Sequence, residues 1–594
     1  MDAGPEMQGS CLRKLAMLRA DIICALVLAV IAILTWCSVY NRWSRETWRI
    51  PLSYTESREK ADAIWALAGI KAARDGHVWP FQFTDIPELG TPYVANWDDF
   101  PSAEKLLTTF PGVLARFIGI FAAANMAVMV GCILATVSFF AACRLLGYSR
   151  IWSFAGALVF GFARYGFAHE LHHYTLGYFW HVPLGLVVCR WVATGEGIDF
   201  RERRFIFAVV IAFLTGIQNV YYTNMFAQFV LFGGLVQWRR RGWRASLPAA
   251  IIIGVAASGF FLMNLSTFLY HHYHGPNTGA VIRAYKWLEI FSLKMVDLVV
   301  PPPDHHLPLF ARFGAWHALG AVLPLGELPP AGYIGLVGIA ALLWLAAHSV
   351  RRVVDHSKMP FEAWLVLWII LYSTVGGLNG VIGSFGFVLF RATCRYVIFI
   401  LCIVLMFAVK RLSSVKFKGA LTPYLAALFI VSLAIWDQTP PTVTFEDLET
   451  TARAMASDRR FTMKMEKMLP ANAMVFQFPV MNFPESSVPG VNPYDHFRPY
   501  LYSTHLRFSF GSEKGRPREL WQSEIERMNP AQMVEQLEKY GFSAIYVNRG
   551  GLNENGDRFL QALNEAAGGG GMIESDAHDM VCVILKPSPN PVLP

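Results

Sequence analysis

The chain has 594 residues, of which 54% are hydrophobic and only 16% charged. A soluble domain carries about 25% charge, so this deficit excludes an ordinary soluble enzyme and makes lipid the main solvent. The formal net charge of +8 sits mostly in short loops between apolar runs, where it reports topology and not nucleic-acid binding.

Apolar runs predict spans near 22–40, 117–143, 151–164, 175–193, 205–219, 224–238, 247–266, 331–350, 362–377, 393–409 and 420–436. The first follows Arg13, Lys14 and Arg19 without a small-residue cleavage site, and reads as a retained helix. The segment Asn219 to Asn224, with its two tyrosines, reads as a turn between two spans. With a cytoplasmic N-terminus, the inside loops hold Arg144 and Arg150, Arg201 to Arg204, Arg239 to Arg244, Arg351 to Lys358, and Lys410 to Lys418. Positive charge at each of these exits supports about eleven spans and an outside C-terminus.

Three outer segments are then large. The first, 41–116, carries Asp62-Ala-Ile-Trp-Ala-Leu, apolar at helical spacing, which predicts a helix lying on the membrane surface. The second, 267–330, carries His271, His272, His274, Arg283, Glu289, the run Pro301-Pro-Pro-Asp-His305-His306, and Glu327. The third, 437–594, opens on Pro440-Pro441. Its strands Ala473 to Val480, Ser543 to Val547 and Met580 to Leu585, with a helix from Pro530 to Tyr540, predict a small α/β domain. That domain holds one cysteine, Cys582, so it has no internal disulfide, and no Cys/His zinc spacing occurs anywhere. The fold class is thus an α-helical polytopic membrane protein, 1–436, with an extracytoplasmic α/β domain.

Candidate chemistry gathers at the outer ends of the spans. His169, Glu170, His172 and His173, beside Arg164, are costly next to lipid and are candidates for substrate or metal binding. An interfacial loop whose histidines bond to water is the bland alternative, and His181 within an apolar run is a packing residue. Asp62 either serves its helix N-terminus or takes a proton from an acceptor hydroxyl. Asp98 and Asp99 either make a turn or act as the base, and such carboxylates also suit a divalent cation, magnesium or manganese. Arg391 and Arg395, four apart, oppose the positive-inside bias and on one helical face would grip a lipid phosphate. His305 and His306 are aimed by the proline run and are further phosphate candidates. The loop Leu506 to Pro517 is basic but lacks P-loop spacing, which excludes a nucleoside triphosphate there.

Together, the first-loop Asp62, the His169-to-His173 run and the outer Arg391 and Arg395 resemble the integral-membrane glycosyltransferases of the GT-C superfamily. That superfamily includes the protein mannosyltransferases, the lipid A aminoarabinose transferases and the oligosaccharyltransferases. The resemblance implies a bacterial cytoplasmic-membrane enzyme that uses a polyprenyl-phosphate-linked sugar. Its acceptor would be a glycan, lipid or protein, and an outer-loop aspartate would act as base in an inverting attack. The chain lacks an adjacent acidic pair directly after the first span, and its tail lacks a WWDYG-type motif. Three other readings compete: a lipid or sugar transporter, an O-antigen polymerase or ligase, and a membrane scaffold displaying the C-terminal domain.

Overall fold

The computed structural model describes residues 5–54, 60–99, 104–321, 329–486, 488–553 and 556–594. Phe100, Pro101 and Glu327 lie outside the described residues, as do the side chains of Arg13 and Lys14.

The chain is mostly helical, and each predicted apolar run contains a helix. Among the described residues six helical stretches are long and apolar enough to cross a membrane: Met17–Tyr40, Ile120–Leu145, Arg150–His169, Trp243–Met263, Gly335–Val354 and Thr393–Ser413. His181–Thr194, Phe361–Ser373 and Thr422–Gln438 are shorter apolar helices. A 14-residue helix such as His181–Thr194 rises only about 21 Å, less than a hydrocarbon core of about 30 Å. The pair Arg203–Gly216 and Val220–Arg241 is separated by a break, and Asn219 caps the second helix by accepting from the Tyr221 amide. Helix Val397–Ser413 is apolar all round and almost wholly buried, which places it at the centre of the bundle. Close packing relies on small residues: at Gly161 and Gly216 a Cβ would collide with Thr136 and with the Ala256 carbonyl.

The first outer loop departs from expectation. Helix Asp62–Asp75 forms, ending on Gly76 in the left-handed region, but nine of its residues are buried. It packs against helix Lys105–Ile118 and helix Phe497–Tyr502 instead of lying on a membrane surface. The exposed apolar face belongs to Lys105–Ile118, with Leu106, Phe110 and Phe117 outward and Leu107, Gly112 and Ala115 inward. Gly119, at φ +85°, breaks that helix from the following span, so the predicted run 117–143 begins with a bend.

Residues 437–594 contain a five-stranded sheet of order β4-β3-β5-β7-β6. Here β3 is Met474–Phe478, β4 Arg507–Phe508, β5 Phe542–Asn548, β6 Met572–Glu574 and β7 Met580–Ile584, while β1 (Asp85–Ile86) and β2 (Ala95–Asn96) form a small hairpin in the first loop. Strands β4, β3 and β5 are parallel, and β7 and β6 continue antiparallel. Every residue of β5 is buried, as a central strand covered on both faces requires. One face, with Phe476, Ile545 and Val583, packs on Trp521, Met533 and Leu563. The other, with Val475, Tyr546 and Cys582, joins the core that also holds the first-loop helix and the spans. The first loop continues this sheet, because Leu89 bridges Phe508 and the Phe508 amide donates to the Glu88 carbonyl at 2.8 Å.

Candidate functional site

The sheet edge and the loop helices bring distant side chains to one place. Asp62 opens its helix, where the exposed amides favour a carboxylate. His173 precedes the 3-10 turn Tyr174–Gly177, and its Nε2 lies 3.1 Å from Asp62 Oδ2, with the Asp62 side chain 35% exposed. Trp65, one turn along, stacks on Tyr494 at 5.4 Å. Burial, then the charges of Asp62 and Glu485, push the Tyr494 phenol well above its ordinary range.

Glu104, at the head of Lys105–Ile118, is the carboxylate that the sequence motifs passed over. It accepts from Asn219 Nδ2, the cap of helix Val220–Arg241. Burial pushes its carboxyl up, while Arg395, hydrogen bonds from Thr175 and Asn219, and His173 oppose that shift. Asp62, Glu104, His173 and Arg395 therefore belong to one electrostatic cluster drawn from four separate stretches of chain. Glu104 follows no recognisable motif and carries no signal in the sequence beyond being a loop carboxylate.

Around the cluster, Glu170 is a tether. It accepts from Lys60 at 3.0 Å and from Tyr40 and Ser53 at 3.3 Å, on a backbone with φ +30°. His169 is buried with Nδ1 2.7 Å from the Tyr165 carbonyl, and His172 is buried with its ring 5.0 Å from that of His173. Of this run, His173 is the member that pairs with Asp62. His181 is buried with its ring packed on Tyr222.

Asp98 and Asp99, the other candidate bases, are held in ion pairs. Asp98 is 0% exposed and accepts from the Thr84 amide at 2.6 Å and from Lys105 Nζ at 2.7 Å. Asp99 accepts from Arg516 Nε and Nη2, both at 2.7 Å, and from Asn277 at 3.0 Å, with His271 at 3.1 Å. Burial raises the Asp99 carboxyl, but Arg516, Asn277 and His271 together take it below its ordinary range. Most of the acceptor capacity of each carboxylate is taken by these partners. The loop Leu506 to Pro517 is likewise a docking segment, since Arg516 holds Asp99 and Arg507 donates to the Pro92 and Tyr93 carbonyls.

The phosphate candidates His305 and His306 sit at the end of the proline run. His305 is buried with Nε2 3.2 Å from Asp437 Oδ1, and its Nδ1 accepts from the Leu307 amide. His306 Nε2 meets the Thr439 carbonyl at 3.0 Å. Both fasten the proline run to the end of helix Thr422–Gln438, and both ring nitrogens of His305 are engaged, which leaves it no donor for a phosphate. Arg391 and Arg395 do not share a helical face, because the chain is irregular at Arg391 and enters the 3-10 turn Thr393–Tyr396 before the helix begins. Arg395 lies over Tyr221 at 4.4 Å and faces Glu104, while Arg391 lies over Phe291 at 5.1 Å and reaches Glu485 at 3.8 Å.

The sequence allows a magnesium or manganese ion. Among the described residues no three His, Cys, Asp or Glu side chains converge, and Glu170 is already bound to Lys60. A hard divalent cation needs about six ligands, several of them oxygen.

Solved structures similar to this chain are an oligosaccharyltransferase and ArnT. The Archaeoglobus fulgidus oligosaccharyltransferase, complexed with Zn and sulfate, is 12% identical over 96% of this chain and 74% of its own, at a TM-score of 0.47. ArnT from Cupriavidus metallidurans, bound to undecaprenyl phosphate, is 13% identical over 96% and 99%, at 0.45. The same archaeal enzyme tethered to an acceptor peptide with the NVT sequon is 11% identical over 91% and 71%, at 0.42. No protein-family model and no curated protein matches the sequence. At these scores the chemistry of the site has to follow from this chain's own side chains.

Proposed function

We infer that this chain is a membrane glycosyltransferase that moves a sugar from a polyprenyl-phosphate-linked donor to an acceptor hydroxyl. The observation that carries the reading is the pairing of a reachable carboxylate, Asp62, with His173, which together with Arg395 also bears on the enclosed Glu104. Displacement of a lipid phosphate by a hydroxyl needs a proton acceptor on one side of the anomeric carbon and positive charge on the other.

In this scheme Asp62 takes the acceptor proton while His173 fixes the carboxylate's orientation. The acceptor oxygen bonds to the anomeric carbon as the bond from that carbon to the phosphate oxygen breaks, inverting its configuration. The electron pair leaves with the phosphate, whose charge Arg395 and Arg391 offset. Glu104, whose carboxyl burial pushes up, accepts from Asn219 and forms a polar wall of the site. The eleven apolar helices all cross the membrane, the shorter ones where the bilayer thins. The basic loops then face the cytoplasm and the site opens on the outer face of a bacterial cytoplasmic membrane.

The test is transfer from a panel of radiolabelled polyprenyl-phosphate sugars to envelope acceptors by purified protein. Asp62→Asn is expected to lower kcat about 10²- to 10⁴-fold, the usual contribution of a general base. Undiminished transfer by Asp62→Asn removes it as the base, and no transfer from any lipid-linked donor removes the glycosyltransferase reading.

A further inference from the structure

The segment between β3 and helix Phe497–Tyr502 reaches from the sheet to the arginines of the bundle. Its anchor is Phe483, whose ring sits among Trp65, Trp97, Phe497 and Phe510 at 5.5–6.1 Å. The Phe483 carbonyl also accepts from the Lys514 amide at 2.7 Å. Two residues later Glu485 takes φ +65°, a region that L residues enter against a steric cost. That backbone directs its carboxylate at two guanidiniums. Arg283 Nη1 donates to both Glu485 oxygens, at 3.1 and 3.3 Å, and Arg391 Nη2 lies 3.8 Å from Oε1. The pair is not sealed off, since the Glu485 side chain is 39% exposed. In addition to burial, the charges of Glu485 and of the proposed base, Asp62, both raise the Tyr494 phenol.

A carboxylate held by two guanidiniums occupies the place that a phosphate oxyanion would take, since both anions accept the same forked donors. We propose that Glu485 is an internal counter-anion, which holds Arg283 and Arg391 between turnovers and is exchanged for the phosphate of the lipid carrier. The inference rests on the lipid-phosphate reading above and adds two residues to it: Arg283 as a phosphate ligand and Glu485 as its competitor. The exchange has a consequence for turnover. When the sugar has left, the freed lipid phosphate is expelled by the returning carboxylate, so release does not wait on the full strength of two arginine contacts. A brace with no such role would contribute to stability and leave anion affinity alone.

The experiment measures binding of farnesyl phosphate, with farnesol as the uncharged control, to full-length protein in nanodiscs. The proteins are wild type, Glu485→Gln, Arg283→Ala and the double variant. Glu485→Gln is expected to bind farnesyl phosphate roughly tenfold more tightly, with farnesol unchanged, because the competing charge and one acceptor oxygen are gone while size is kept. Arg283→Ala is expected to weaken binding, and the double variant to lose the gain. Equal or weaker farnesyl phosphate binding by Glu485→Gln, with its thermal midpoint unchanged, overturns the exchange while leaving the lipid-phosphate site standing. Equal binding of farnesyl phosphate and farnesol in wild type and Glu485→Gln alike overturns both.

Discussion

Arg516→Ala is expected to undock the first loop from the sheet region without touching the proposed chemistry. In the folded chain Arg516 makes two 2.7 Å bonds to Asp99, whose side chain is 0% exposed, and donates to the His274 and Gly275 carbonyls. Removing it leaves Asp99 with Asn277 and His271 as its remaining partners. Breaking a buried pair by deleting one partner costs about 3–5 kcal/mol, and the surviving partners favour the lower end. At about 3 kcal/mol the opening equilibrium of this junction rises roughly 150-fold. Hydrogen exchange of the amides in residues 84–99 reads that change directly, provided closing stays fast relative to intrinsic exchange. Lowering the pH works in the same direction. The Asp99 carboxyl is held below its ordinary range, so its contribution is present above the unfolded carboxylate range and is lost as pH falls through the folded value. Unchanged exchange in Arg516→Ala would refute the anchoring role. Retained protection together with abolished sugar transfer in Asp99→Asn would return Asp99 to the catalytic candidates.

Two further outcomes follow from the buried carboxylates. Glu104→Gln, which mimics a protonated Glu104, is expected to keep transfer within about tenfold of wild type and to flatten its pH profile, whereas Glu104→Ala loses the contact to Asn219 and falls further; equal kcat/KM and pH profiles in all three would remove Glu104 from the site. Glu513 is pushed well above the ordinary carboxylate range by burial and by the Asp99 charge. A raised folded value gives stability that is complete below the unfolded range and is lost as pH rises, so Glu513→Gln should raise the thermal midpoint at neutral pH and weaken its fall with pH. A lower midpoint at every pH would show that Glu513 is held as a needed charge.

The residue patterns carried far unevenly. Asp62 stood out by opening an amphipathic run, and the His169-to-His173 run by its density, yet nothing local tied residue 62 to residue 173. Asp98 and Asp99 read as well as Asp62 did, because their partners Lys105 and Arg516 are invisible to a reading of the loop. Arg391 and Arg395 were placed on one helical face by a four-residue spacing that presumes a helix, and the chain there is not yet helical.

The sequence by itself determined where the helices, the spans' apolar character and three of the strands lie, since hydrophobic runs and alternation act over neighbouring residues. Only the tertiary structure decided which carboxylates are reachable and which are locked, because burial and ion pairing are set by partners up to 417 residues away. The same holds for Glu104 and Glu485. Their chemistry comes from Arg395 and from Arg283 with Arg391, brought to them by the packing of the loops and the sheet onto the bundle.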